Sequence, residues 1–228
     1  MGKEISAVIA AAGSSSRMNL KSGESKQFLE ISGKPVILRT LETFNASSYI
    51  SEIIISARER DIGRLEEIAG GLKKVKCVTA GGATRLESVA KAARRVSRDA
   101  DYIAVHDGAR CFVMLGDIEK VALRAFETGA AAAGCLVTDT MKRVDLHGNI
   151  TETLERDCLR SVQTPQIFLK DWYMRALEGA DINAPDDCYI LESAGYKVSV
   201  VECSKYNLKI TDEQDLNFFN YINKLECL

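Results

Sequence analysis

Histidine is scarce in this sequence: His106 and His147 are the only two among 228 residues. A histidine-rich metal site is therefore excluded. The seven cysteines form no C-x-x-C pair and no zinc-binding spacing. Because their number is odd and most of them lie inside apolar runs, the pattern favours buried free thiols in a reducing compartment.

Long apolar runs and excess charge are lacking as well. No apolar run approaches the roughly 18 residues that a membrane-spanning helix needs. The formal net charge of −2 argues against bulk nucleic-acid binding, although a local basic cleft is compatible with it. We therefore expect a cytoplasmic protein with no nucleic-acid and no membrane partner. The length fits one large α/β domain or two small ones.

Neither common phosphate-binding fingerprint, G-x-x-x-x-G-K-[ST] or G-x-G-x-x-G, is present at the N-terminal loop. An apolar run over 7–12 nevertheless breaks at Gly13 into three serines, and Arg17 and Lys26 follow. Small side chains let backbone N–H groups approach an anion, and the two cations could add charge to the same phosphates. Taken alone, the pattern fits an ordinary strand-to-loop connection equally well.

Buried strands and amphipathic helices alternate over the first 137 residues. The predicted strands are 4–12, 53–55, 75–79, 102–106 and 130–137, and the predicted helices are 35–45, 61–70, 85–97 and 117–128. This alternation predicts an α/β fold with a Rossmann-like, mostly parallel sheet and helices on both faces. Ligands bind at the carboxyl ends of such strands, where the loops 12–18, 80–84 and 107–110 follow.

A β-hairpin interrupts this pattern, because residues 140–144 and 149–154 alternate around His147-Gly148-Asn149. Nothing nearby buries both of its faces, so we expect a projecting arm at about 139–160, inserted into a single domain over 1–228. Projecting hairpins often pack against a partner subunit. The alternative is a hairpin at the edge of the same sheet. Residues 163–168 then return the chain to the body. Helices at 170–179, 187–194 and 212–224 and a strand at 197–202 complete the prediction.

Seven short motifs follow one another along the chain. They are Ala10-Ala11-Ala12-Gly13-x-x-x-Arg17-Met18, Lys26-Gln27-Phe28, Gly81-Gly82-x-x-Arg85-x-x-Ser88-Val89, His106-Asp107-Gly108-Ala109-Arg110, Asp139-Thr140-x-Lys142, Thr164-Pro165-Gln166 and Lys209-Ile210-Thr211. This is the order seen in 2-C-methyl-D-erythritol 4-phosphate cytidylyltransferases, enzymes of the non-mevalonate isoprenoid pathway, which the chain resembles from residue 5 to about 216. Any one of them is weak, but seven in order are highly specific. Two positions depart from the family pattern: Ser15 stands for the usual glycine and Cys111 for the usual proline.

The resemblance implies in-line transfer of a cytidylyl group from CTP to an alcohol phosphate, with Mg²⁺ as cofactor and pyrophosphate as leaving group. It implies catalytic roles for Arg17, Lys26 and Lys209, and a metal-binding role for Asp107. Implied nucleotide contacts are Ala11, Ala12, Gly13, Gly81, Gly82, Ala83 and Ser88, and implied substrate contacts are Asp107, Arg110, Thr140 and Arg156.

In the family, the arginine corresponding to Arg156 crosses into the neighbouring subunit's site, so the resemblance also implies a homodimer. Simpler interpretations stay open at each position. Asp107 could be a turn residue, Gly81-Gly82 a turn before the helix that Thr84 caps in a Thr-x-x-Glu pattern, and Arg156 a surface residue paired with Glu155 or Asp157. Asp186 and Asp187 match another substrate segment only loosely.

Two alternatives to this function remain. A ribitol 5-phosphate cytidylyltransferase has the same chemistry, but usually carries Ala-Gly-Gly where this chain has Ala11-Ala12-Gly13. A non-catalytic nucleotide-binding protein of the same fold is the other. The retained cations argue against it, because a protein that only binds a nucleotide does not need them.

Overall fold

The computed structural model describes residues 3–13, 18 and 24–226. Its strands are β1 Ile5–Ala10, β2 Glu30–Ile31, β3 Lys34–Pro35, β4 Ile50–Ala57, β5 Val75–Ala80, β6 Tyr102–Asp107, β7 Ala130–Leu136, β8 Lys142–Val144, β9 Ile150–Thr153, β10 Arg160–Leu169 and β11 Ser199–Glu202. Its helices are α1 Val36–Ala46, α2 Ile62–Ala69, α3 Arg85–Ala93, α4 Leu115–Thr128, α5 Lys170–Glu178, α6 Asp187–Ser193 and α7 Glu213–Glu226.

The central sheet has seven strands in the order β11-β7-β10-β6-β1-β4-β5. Strand β1 pairs in parallel with β4 and β6, and β5 and β11 extend the parallel pairing at the two edges. Only β10 runs antiparallel to its neighbours β6 and β7 in this sheet. The predicted Rossmann-like, mostly parallel sheet is confirmed.

Helices cover both faces of the sheet. Successive side chains of a strand point to opposite faces, so neighbouring residues of β1 pack in different apolar clusters. Ile9 of β1 lies in one apolar cluster with Leu41 and Phe44 of α1. Val8, the preceding residue, lies in the cluster on the opposite side with Val89 of α3. A continuous apolar run such as β1 is typical of strands buried on both faces.

Strand β10 is the main difference from the sequence prediction, which treated 163–168 only as a return segment. The segment is part of a ten-residue strand inserted between β6 and β7. Its sequence contains Gln163, Thr164 and Pro165, and proline is rare inside a central strand because it lacks an N–H donor. The structure accommodates Pro165 in an irregularity of the β7 pairing between Val162 and Gln166.

The predicted hairpin is present, with β8 and β9 paired to each other in a separate two-stranded sheet. Both strands are exposed along their whole length. In the turn, the Asp145 carboxylate accepts hydrogen bonds from the backbone N–H groups of His147 and Asn149, each at 2.9 Å. Within the part of the chain that the structure describes, no helix is long and apolar enough to cross a membrane.

Candidate active site

The loops that follow β1, β5 and β6 meet at the carboxyl edge of the sheet, together with the segment after β11. They enclose a cavity of about 360 Å³. The cavity is lined by Ala10, Ala12, Gly13, Lys26, Gln27, Gly82, Ala83, Thr84, Arg85, Ser88, Asp107, Ala109, Lys209 and Thr211. Parallel strands that end together bring these distant segments to one place.

Gly81 permits the close approach of the β5 loop to the β1 loop. A Cβ atom at this position would lie 2.7 Å from the Ala12 Cβ and 2.7 Å from the Ser88 Oγ. Its backbone N–H donates to the Ala57 carbonyl at 2.7 Å, which anchors the loop to β4. Any side chain here would push the two loops apart.

Ser88 shapes the same loop from α3. Its hydroxyl accepts a hydrogen bond from the Gly82 N–H at 2.9 Å and donates to the Thr84 carbonyl at 2.8 Å. Thr84 caps α3 as predicted, since its hydroxyl accepts from the Glu87 N–H at 3.1 Å. The Glu87 carboxylate accepts from the Ala83 N–H at 2.7 Å, one residue before the cap. The turn interpretation and the nucleotide interpretation of Gly81-Gly82 are therefore compatible.

Asp107, at the end of β6, is surrounded by three cationic side chains. Its carboxylate lies 2.9 Å from Lys209 Nζ, 3.3 Å from Arg85 Nε and 3.4 Å from Arg110 Nε. Burial alone would raise the pKa of Asp107, but attraction from Arg85, Lys209 and Arg110 holds that pKa well below its ordinary range. The carboxylate is therefore ionised at neutral pH.

Lys26 reaches the same region from the short 3-10 helix Lys26–Phe28. Its ammonium group donates to the Ile210 carbonyl at 2.8 Å, and Lys26 itself is buried. Because Ile210 follows Lys209 directly, the two predicted catalytic lysines converge on one segment of the chain.

His106 fixes the loop that carries Asp107 and Arg110. Burial lowers the pKa of His106 to about 3, so its ring is neutral near pH 7. Its Nε2 lies 3.2 Å from the Arg110 carbonyl, which can only accept, so Nε2 carries the proton. Nδ1 then accepts from the Thr164 hydroxyl at 3.1 Å, and that hydroxyl accepts from the Asp107 N–H at 3.0 Å.

A second cavity of about 470 Å³ adjoins the first. The two share Arg85, Asp107 and Lys209, so the charged cluster stands at their junction. The rest of its lining is Arg110, Val162, Gln163, Thr164, Gln166, Pro185, Asp186, Cys188, Tyr189 and Glu192.

The predicted site residues divide into three groups. The structure brings Lys26, Lys209, Asp107, Arg110 and most predicted nucleotide contacts to the two cavities, with Ala11 and Gly81 directly beside them. Thr140 and Arg156 lie outside both cavity linings and are exposed. Arg156 donates to the Thr138 carbonyl at 2.9 Å, which corrects the pairing with Glu155 or Asp157 considered from the sequence. Arg17 lies outside the described residues.

Sequence reasoning gave no role to Arg85 and little weight to Asp187. The structure joins them: Arg85 Nη1 lies 2.7 Å from the Asp187 carboxylate. The sequence held only a weak signal of this pair: a cation in the first turn of a helix is disfavoured by the helix dipole, and a nearby anion offsets that cost.

Among the described residues, no group of three or more acidic, histidine or cysteine side chains could enclose a metal ion. A single carboxylate can nevertheless suit Mg²⁺, which is usually held by one or two carboxylates together with substrate phosphates and water. Asp107 lines both cavities and is the residue that fits this role.

Glycine-bearing loops and converging cations at the carboxyl edge of a mostly parallel sheet define an α/β protein of the nucleotide-binding class. Comparison with known sequences specifies it further. The model of the 2-C-methyl-D-erythritol 4-phosphate cytidylyltransferase family matches residues 5–224, and the chain belongs to this family. Its relatives are named as cytidylyltransferase enzymes.

Curated relatives bear the same family name. The 2-C-methyl-D-erythritol 4-phosphate cytidylyltransferase of Halalkalibacterium halodurans is 38% identical over 221 residues, covering 94% of this chain and 95% of its own. That of Clostridium acetobutylicum is 40% identical, covering 92% of this chain and 93% of its own. The crystal structure of 4-diphosphocytidyl-2C-methyl-D-erythritol synthase from Anaerococcus prevotii superposes with a TM-score of 0.88 at 27% identity, covering 97% of this chain and 96% of its own.

Proposed function

We propose that this protein transfers the cytidylyl group of CTP to 2-C-methyl-D-erythritol 4-phosphate and releases pyrophosphate. The single observation that carries the proposal is the junction of the two cavities at Asp107, Arg85 and Lys209. Two anionic substrates placed in adjoining cavities would meet at this charged cluster. Family membership indicates which two substrates they are.

The first cavity is the proposed CTP site. Its walls include Ala12 and Gly13 from the β1 loop and Gly82, Ala83 and Ser88 from the β5 loop and α3, and Ala11 and Gly81 lie directly beside them. Small residues leave backbone amide and carbonyl groups accessible to the cytosine edge and the triphosphate. The Ser88 hydrogen bonds to Gly82 and Thr84 would hold that recognition loop in shape.

The proposed catalysis is positioning and charge neutralisation. A phosphate monoester is already a nucleophile at neutral pH, so no activating base is needed. Negative charge grows on the α-phosphate and on the leaving pyrophosphate, and cations fixed near those oxygens stabilise it. Lys26 and Lys209 lie at the cavity, and we assign Arg17 to the same task by the family resemblance.

Asp107 is the residue that would hold Mg²⁺, together with phosphate oxygens. When bound, the ion supplies positive charge that neutralises the phosphates. Asp107 is paired with three cations in the structure, so its carboxylate is already ionised and ready to bind. Transfer of those cations from Asp107 to arriving phosphates would free the carboxylate for the metal.

The second cavity is the proposed site of the alcohol phosphate, with Arg110 as a phosphate contact. Thr140 and Arg156 do not line it within one chain, so we propose that they act on the site of a neighbouring subunit. This makes residues 139–160 the dimerisation arm of a single domain over 1–228. The exposed apolar side chains of Val144, Leu146 and Ile150 support the proposal, since such residues commonly become buried in an interface. The expected cytoplasmic location stays a prediction.

Pyrophosphate release tests the function directly. The purified protein is assayed with CTP, Mg²⁺ and either 2-C-methyl-D-erythritol 4-phosphate or ribitol 5-phosphate, and then with UTP or ATP in place of CTP. We expect turnover with CTP and methylerythritol phosphate and strongly reduced turnover with each substitute. Preference for ribitol 5-phosphate would transfer the assignment to the related enzyme, and CTP binding without pyrophosphate release would leave a nucleotide-binding protein.

A further inference from the structure

Arg85 occupies an unusual electrostatic position. It is the first residue of α3 and lines both cavities. Its Nε lies 3.3 Å from one Asp107 oxygen and its Nη1 lies 2.7 Å from one Asp187 oxygen. Although burial works against its charge, Asp187 and Asp107 raise the pKa of Arg85 above its ordinary value.

Asp187 binds this guanidinium from outside the two cavity linings. Its side chain is fully buried in the first turn of α6, and its second oxygen accepts the hydroxyl of Tyr173 at 2.5 Å. Tyr173, on α5, is also fully buried and stacks on Phe168 with ring centroids 5.3 Å apart. Burial and the charge of Asp187 raise the pKa of Tyr173, so its hydroxyl keeps the proton that it donates.

The two carboxylates that hold Arg85 differ in what else they contact. Asp107 also pairs with Lys209 and Arg110, and it faces the cavities. Asp187 pairs with Arg85 as its only cation among the described residues. When phosphates compete with Asp107 for its cations, or a metal binds Asp107, Arg85 therefore retains its attachment to Asp187.

Part of the Arg85 guanidinium is available to a substrate. A guanidinium has five N–H donors, and Nε and Nη1 are the atoms that bind the two carboxylates. Within the described residues, Nη2 makes no hydrogen bond to the protein. The planar fork of a guanidinium can bind two oxygens of one phosphate at once, and the ammonium group of a lysine lacks this geometry.

We propose that Asp187 and Tyr173 are positioning residues that hold the Arg85 guanidinium at the junction of the two cavities, where it contacts the phosphate of the incoming alcohol phosphate. The proposal rests on the proposed function. Tyr173 fixes Asp187 and Asp187 fixes Arg85, and of these three residues only Arg85 contacts the substrate. The buried ion pair is thus a device of orientation, and we attribute no net stabilisation to it.

Two measurements test the proposal. The first needs no activity: the ¹⁵N–¹H signal of Arg85 Nε, assigned by its loss in Arg85→Gln, is followed in the intact protein. In the wild type we expect a sharp signal, because its hydrogen bond protects the Nε–H from exchange with water. We expect the signal to be lost or broadened in Asp187→Asn and to change less in Tyr173→Phe, which keeps the stacked ring. Asp171→Asn, an exposed change on α5, is the control. An unchanged Arg85 signal in Asp187→Asn overturns the proposal.

The second measurement is a double-mutant cycle in kcat/KM for the alcohol phosphate at saturating CTP. We expect about a tenfold loss or more in Asp187→Asn, a loss of about threefold in Tyr173→Phe, and less than about a twofold further loss when Asp187→Asn is added to Arg85→Gln. Losses that simply multiply would show that Asp187 acts independently of Arg85 and would overturn the proposal. If the wild type is inactive with CTP and the alcohol phosphate, the proposed function is refuted instead. The Arg85 Nε signal alone then decides whether Asp187 and Tyr173 position Arg85.

Discussion

The Nζ atom of Lys209 lies 2.9 Å from the Asp107 carboxylate, although Asp107 ends a strand near the middle of the sheet and Lys209 follows the edge strand β11. Arg85 and Arg110 approach the same carboxylate from α3 and from the loop after β6. The cations therefore come from three parts of the chain, and the fold alone assembles them.

Replacing Lys209 by glutamine removes one positive charge from this cluster while keeping most of the side chain. We expect kcat/KM to fall more than tenfold, which corresponds to more than about 1.4 kcal/mol of transition-state stabilisation. Lys205→Gln, at an exposed position of the same segment, is the matched control and should keep full activity. Retention of more than about a tenth of the wild-type kcat/KM in Lys209→Gln would contradict the assigned role.

Arg17→Ala and Lys26→Ala are expected to keep the fold and lose nearly all turnover, because each removes a cation assigned to the α-phosphate and the leaving group. Unfolding curves check the fold, and pyrophosphate release checks the rate. Lys34→Ala serves as the control, since Lys34 pairs with Glu42 in an exposed ion pair. Either variant that turns over at more than about a tenth of the wild-type rate would remove its residue from the catalytic set.

Gly81→Ala tests the contact between the two nucleotide loops. The added methyl group would lie 2.7 Å from both the Ala12 Cβ and the Ser88 Oγ, so the loops must separate. We expect KM for CTP to rise about tenfold or more and the free energy of unfolding to fall by about 1–3 kcal/mol. Gly63→Ala is the comparison: a Cβ there meets nothing within 4 Å, and KM should not change. An unaltered KM in Gly81→Ala would separate this loop from nucleotide binding.

Acid should weaken the fold through His106. Its pKa is about 3 in the folded chain, against an ordinary value of 6.5, because burial disfavours the charged ring. Below about pH 6.5 the unfolded chain therefore binds a proton at His106 that the folded chain does not. The contribution of this group to the free energy of unfolding is fully present above this pH and is lost as the pH drops toward 3. The slope from this one group is at most about 1.4 kcal/mol per pH unit.

Urea unfolding between pH 7 and 5 measures this slope before most carboxylates titrate. The lowered pKa values of Asp107, Glu52 and Asp215 make those groups matter only at lower pH. His106→Gln should flatten the slope, whereas His147→Gln in the exposed hairpin turn should leave it unchanged. If His106→Gln does not fold, the ring resonances of His106 in the wild type give the answer, and titration near pH 6 would disprove the neutral buried ring.

Local signals in the sequence predicted the elements that depend on local chemistry. The Thr84 cap gave the start of α3, and the continuous apolar run of β1 gave a strand buried on both faces. Strand β10 escaped prediction because its polar residues and Pro165 contradict strand propensity, and its pairing depends on β6 and β7, which are distant in sequence. The Arg85–Asp187 pair escaped for a similar reason, since only tertiary packing brings α3 and α6 together.

The position of Arg156 leads to the last prediction. Within one chain its guanidinium donates to the Thr138 carbonyl, and Arg156 is exposed outside both cavities. If it completes the site of a neighbouring subunit, an Arg17→Ala subunit paired with an Arg156→Ala subunit contains one intact site. The intact site combines Arg17 of the second subunit with Arg156 of the first, and the other site carries both substitutions.

Random exchange of subunits between the two inactive homodimers should thus restore about one quarter of the wild-type activity, because half the dimers are mixed and half their sites are intact. Each variant is incubated alone as the control, and sedimentation checks that dimers form. Activity that stays absent in the mixture, with dimers present and subunits exchanging, would place Arg156 in its own subunit's site or outside catalysis altogether.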